Sequence, residues 1–158
     1  MGAIVYSYYH PIVINYPPDT IEYSRSEKVY KKGDIIQPFK DFDLGSGNYT
    51  AYVIIKDRIG LTNDIPHAGV LKTKNTLFLK GLQDMKFEYT GGDMATIENE
   101  FLLYHVDKLV FRSGIVIEDR KEGLQDSAFG WIRLMEPDKL MRDYIQDFDA
   151  CFPIVILP

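Results

Sequence analysis

Cysteine is almost missing from this chain: Cys151 is the single thiol. That excludes an internal disulfide, so nothing points to an oxidising compartment. One thiol is also too few for a thiolate zinc site. Cys151 lies in the apolar run 150–157 and reads as a small buried hydrophobe.

Histidine is as thinly spread. His10, His67 and His105 fall in no ligand spacing and in no H-E-x-x-H context. Gly45-Ser46-Gly47 lacks the G-x-S-x-G pattern of a nucleophile elbow. Gly91-Gly92 is followed by no Lys-Ser/Thr pair, so it is not a phosphate loop. The loop Asp41–Gly47 alternates two carboxylates before glycines, as calcium loops do. Its fifth position is Gly45, however, and Tyr52 stands where the bidentate Glu belongs, so it reads as an ordinary turn. No metal, cofactor or catalytic set is expected.

Long apolar runs are absent, which argues against a membrane span. The start (MGAIVYS) lacks a basic region, and Ser7, His10 and Pro11 interrupt its apolar run, so it does not read as a leader. The expected compartment is the cytoplasm, or that of an infected host. An excess of positive charge is missing too, which argues against nucleic acid.

What the chain has is apolar and aromatic residues enough for a core: 46% hydrophobic and 13% aromatic in 158 residues. That fits one domain over residues 1–158. Tyr and Phe scattered among Val, Ile and Thr favour strands. Extended segments are expected at 3–9, 12–16, 20–25, 29–30 and 35–37, with the strongest strand at Tyr49–Lys56. Residues 57–69 read as a long loop. Thr76–Lys80 and Met85–Tyr89 read as a hairpin, as do Leu109–Phe111 and Ile115–Glu118 around Gly114. Residues 94–106 fit helix or strand, and 120–130 read as loop. Trp131–Met135 and Phe152–Leu157 read as strands. Residues 137–148 form the best helix, with Pro137 at its first position and Leu140, Met141, Tyr144, Ile145 and Phe148 on one face. The expected fold is α+β: a mostly antiparallel, strongly curved sheet with one or two helices packed on it.

Charge is unevenly placed. Residues 1–79 carry nine Lys/Arg and eight Asp/Glu; residues 80–158 carry nine and fifteen. On the expected terminal helix Glu136, Asp143 and Asp147 fall along one edge, with Asp149 close behind. The plain meaning of such charge is a solvated face. Yet Asp143, Asp147 and Asp149 gather toward the helix C-terminus, where the dipole disfavours anions. Anions kept there suggest use by a basic partner. The expectation is therefore a non-enzymatic immunity or inhibitor protein, which occludes a basic active site such as that of a toxin or nuclease. Glu136, Asp143, Asp147 and Asp149 would carry the contact.

Two rivals remain. One is a small hydrolase-like or ligand-binding domain that uses the 57–69 loop, His67 and a carboxylate such as Asp57 or Asp64, with the N-terminal tyrosines 6, 8, 9 and 16. The other is a structural subunit of a phage or secretion assembly, whose sign would be exposed strand edges. Oligomeric state is not legible.

Overall fold

The computed structural model describes residues 6, 10, 12–17, 29–59, 61, 63–92, 97–118, 121–135, 141–151 and 154–158. Eleven strands are seen among them: β1 (Ile12–Ile14), β2 (Ile35–Ile36), β3 (Tyr49–Ile54), β4 (Val70–Thr73), β5 (Phe87–Tyr89), β6 (Glu100–His105), β7 (Lys108–Glu118), β8 (Lys121–Asp126), β9 (Gly130–Leu134), β10 (Asp149–Ala150) and β11 (Ile154–Ile156). Two helices accompany them, α1 (Thr76–Asp84) and α2 (Met141–Ile145). Nine strands form one sheet in the order β10-β4-β3-β6-β7-β8-β9-β5-β2. Every neighbouring pair in it is antiparallel. Strands β1 and β11 stand apart as a parallel two-stranded ribbon. The α+β class and the antiparallel sheet are thus as the residues suggest. The sheet is open, with β10 and β2 at its edges, and does not close into a barrel.

Successive residues of a strand face opposite sides, and both sides of the central strands are apolar. Ala51 and Val53 of β3, with Phe101 and Leu103 of β6, face one core. Phe78, Leu79 and Leu82 of α1 and Met141 and Ile145 of α2 cover that face. Phe78 stacks edge-on to Phe148 at 4.9 Å between ring centroids and tilts against Tyr144 at 5.3 Å, tying the two helical segments together. Tyr52 and Ile54 of β3, with Leu102 and Tyr104 of β6, face a second core. The β1–β11 ribbon covers it through Val13 and Val155, with Leu157 just after β11. Each fully buried side chain of this kind contributes about 1.5–3 kcal/mol of transfer free energy. Two covered faces explain why β3 is buried at every position.

Several elements differ from the reading of the sequence. Residues 76–84 are helix, not the first arm of a hairpin. The Asn75 side chain accepts hydrogen bonds from the Leu77 and Phe78 N–H groups, capping the first turn. In a strand Leu77 and Leu79 would share a face; here Leu77 is exposed and Leu79 fully buried. Residues 112–114 do not turn either, and β7 runs straight through them. Gly114 is there for closeness: a Cβ would come within 2.9 Å of the Ile97 side chain. The turn falls earlier, where His105 pairs with Lys108 and Val106 takes a left-handed φ of 56°. Residues 121–126 are a strand rather than loop, and within the ambiguous stretch 94–106 the segment Glu100–His105 is strand.

Of the helix expected over 137–148, the described part is Met141–Ile145, followed by turns through Phe148. Residues 136–140 lie outside the described set, as do most of 3–9 and all of 20–25. Cys151 is half-buried against the second core rather than enclosed, and burial pushes its thiol up.

Candidate functional site

The acidic segment leaves the helix sooner than its periodicity suggests. Asp143 is exposed on α2, and Asp147 is exposed in the turn that follows. Asp147 and Phe148 donate their N–H groups to the Tyr144 and Ile145 carbonyls, both at 3.0 Å, which tightens the last turn. Asp149 is exposed in β10, the edge strand of the main sheet. The three carboxylates therefore do not share one helical edge: Asp143 lies on α2, Asp147 in the turn after it and Asp149 on the edge strand. Glu136 lies outside the described residues.

A buried group anchors this segment. The Glu122 carboxylate on β8 accepts the N–H of Met141 at 2.5 Å, so the sheet itself caps the first described residue of α2. Asp149 stands opposite Lys72 in register, on the face covered by the ribbon. Lys72 leans its ammonium over the Tyr52 ring, 5.5 Å from the centroid. Among the described residues no ion pair joins Lys72 to Asp149. The plain role of Asp149 is edge protection, since a charge on a border strand discourages pairing with other chains.

A second polar centre was not visible in the sequence. Glu100 opens β6 and is buried on the ribbon-covered face. Its Oε1 accepts from the Lys56 ammonium at 2.5 Å and from the Tyr16 hydroxyl. Its Oε2 accepts from Arg112 Nε at 2.8 Å and pairs with Nη2 at 2.7 Å. Lys56 also donates to the Tyr16 oxygen at 3.2 Å. Both cations lie over the Tyr16 ring, at 5.2 Å and 5.3 Å from its centroid. Burial pushes the Glu100 carboxyl up, but the hydrogen bonds from Lys56 and Tyr16 and the charges of Arg112 and Lys56 outweigh it, so it sits below its ordinary value. Burial, reinforced by donation to Glu100, raises the Tyr16 hydroxyl. Burial lowers Lys56, yet its bonds to Glu100 and Tyr16 carry it above the ordinary lysine value. The cluster sets one carboxylate between two cations and a tyrosine hydroxyl, all hydrogen-bonded, and its chemistry is that of a clasp. Tyr16 follows β1, so the clasp fastens the ribbon to the sheet. The available signal was Arg112, a single charge in the run 109–117, and Glu100 at the polar start of an apolar strand.

The 57–69 loop is held by Asn99 from outside it and by its own Arg58 and Asp57. Asn99 Oδ1 accepts from the N–H groups of Lys56 and Asp57 at 2.8 and 2.9 Å, and its Nδ2 donates to the Asp57 carbonyl at 2.8 Å. Arg58 donates to the carbonyls of Ile65 and Pro66. The Asp57 carboxylate accepts the Ile59 N–H inside its own turn. A cavity of about 40 Å³ opens beside Asp57, Ile59, Asn99 and Val116, and His67 does not line it. His67 and Asp64 are exposed. No observed juxtaposition supports a base at His67.

Of the N-terminal tyrosines, Tyr6 is exposed and stacks on His10, Tyr16 belongs to the clasp, and Tyr8 and Tyr9 lie outside the described residues. Among the described residues no group of three His, Cys, Asp or Glu side chains is placed to hold a metal, and no helix is long and apolar enough to cross a membrane. Comparison with protein families, with curated proteins and with solved structures finds no significant match to this chain.

Proposed function

We propose that this chain is a non-enzymatic binding protein of the immunity or inhibitor kind, working in the cytoplasm. Its partner is a protein with a basic active-site cleft, such as a nuclease or toxin, which it occludes. The observation that supports this reading is the exposure of Asp143, Asp147 and Asp149, on α2, the turn after it and the edge strand β10. Carboxylates there stand in for the phosphates that a basic cleft attracts, and Glu136 extends the set.

Exposed charges of this kind add little to stability. Their effect is on encounter: a field of one sign raises the association rate with an oppositely charged partner, and salt screens it. The acidic balance of the second half of the chain supplies the long-range part of that field.

The test is inhibition of purified cationic nucleases by the intact chain. Stoichiometric loss of nuclease activity is expected for a cognate enzyme. Changing Asp143, Asp147 and Asp149 together to Ser should slow association and flatten its salt dependence. An association rate and salt slope untouched by the triple change would remove these carboxylates from the mechanism.

A further inference from the structure

The β1–β11 ribbon is joined to the rest of the fold by side chains. It forms a sheet of its own, and among the described residues no backbone–backbone hydrogen bond links either strand to the nine-stranded sheet. Each strand is three residues long. Both follow a proline in the same short run, Pro11-Ile12-Val13-Ile14 and Pro153-Ile154-Val155-Ile156. Proline has no N–H, so neither strand can donate further back along the ladder. A two-stranded piece this short has no independent stability in water and lasts only while it is packed on something else.

Its packing is narrow. Val13 and Val155 reach the second core, with Tyr16 and Leu157 beside them. The polar link runs through Tyr16 and its neighbour. The Tyr16 hydroxyl donates to Glu100 and accepts from Lys56 at 3.2 Å and from Arg112 Nη2 at 3.4 Å. Arg112 Nη1 donates to the Pro17 carbonyl at 3.5 Å. Lys56, Glu100 and Arg112 hold one another without any ribbon residue. The first core, under α1 and α2, also contains no residue of the ribbon. The sheet therefore keeps its larger core and its ion pairs when the ribbon is away.

We infer that the ribbon is a strap latched by Tyr16, which opens as one unit while the nine-stranded sheet stays folded. A segment held by few buried contacts opens at a lower free energy than the whole fold. Opening uncovers Tyr52, Ile54, Val70, Leu102 and Tyr104. The chain thus has a closed form and an open form, and the open form presents a second apolar face. The acidic residues take no part in this opening.

Native-state hydrogen exchange of the full chain across a urea series tests the strap. The Leu157 N–H, bonded to the Ile14 carbonyl, and the ladder amides of β1 and β11 report on the ribbon. Amides of β3 and β6 report on the sheet. Ribbon amides should be protected, but less than sheet amides and with a flatter urea dependence. Tyr16→Phe keeps the ring and removes the hydroxyl, and should speed ribbon exchange about tenfold. Asn75→Ala loosens α1 on the other face of the sheet. It should speed sheet exchange about fivefold and leave ribbon exchange unchanged.

A single protection level and urea slope shared by ribbon and sheet would overturn the proposal. Equal acceleration of both by Asn75→Ala would do the same, because the ribbon would then leave only when the whole fold does. Ribbon amides without protection would overturn it too, since nothing would be latched. A ribbon rate untouched by Tyr16→Phe would overturn the latch.

Discussion

Replacing Glu100 by Gln tests the clasp most directly, because shape is kept and charge is lost. In the folded chain this carboxylate holds Lys56, Arg112 and Tyr16 at once. Gln leaves two cations facing an amide, in a site shut from water on the Glu100 side. Removing one partner of a buried ion pair costs about 3–5 kcal/mol. The Lys56 side chain is 45% exposed and can turn back to solvent, which places the cost near the lower end, about 3 kcal/mol. For a chain of this size that lowers Tm by about 6–12 °C.

The pH dependence has a definite sign. The folded-state pKa of Glu100 lies below its ordinary value of 4.5, so its stabilisation is complete above that value. It is lost as pH falls from there through the folded-state pKa. Urea unfolding of wild type and Glu100→Gln should differ most at neutral pH and converge in acid. Equal midpoints at neutral pH, or a gap that stays constant down to about pH 3, would refute the electrostatic account of the clasp.

Two further changes test the parts of the fold that the sequence conceals. Asn75→Ala removes the acceptor for two N–H groups of α1 and should cost about 1 kcal/mol in denaturant unfolding, with Asn75→Asp recovering most of it; no loss would mean that the cap is idle. Gly123→Ala places a Cβ 2.1 Å from the Ile132 carbonyl oxygen and 2.5 Å from the Trp131 ring, so β8 and β9 cannot keep their spacing. A loss of about 3 kcal/mol or more is expected, with altered tryptophan fluorescence, and an unshifted melt would show that the ring yields freely.

The three carboxylates show how local pattern can be right in kind and wrong in place. Asp143, Asp147 and Asp149 are exposed, as charge at those positions suggests, but α2 ends before Asp147 and the chain turns into an edge strand. The pairing of β10 with β4 outweighs continued helix there. At Thr76–Asp84 the opposite occurred: a cap on Asn75 and the burial of Phe78, Leu79 and Leu82 outweighed a short apolar run that also fits a strand. Short apolar segments do not separate the two by period alone.

The amino-acid order by itself determined the α+β class, the antiparallel preference and the position of β3, since these follow from the identity and alternation of neighbouring residues. Gly114 and Gly123 also show its limit: each is needed for a neighbour, Ile97 or Trp131, that only folding brings near. Tertiary structure alone decided that Glu100 meets Lys56, Arg112 and Tyr16, across separations of up to 84 residues. It also set β1 and β11 side by side, with four isoleucines exposed. Such meetings depend on sheet order and register, and these are fixed by which distant strands bury each other's faces.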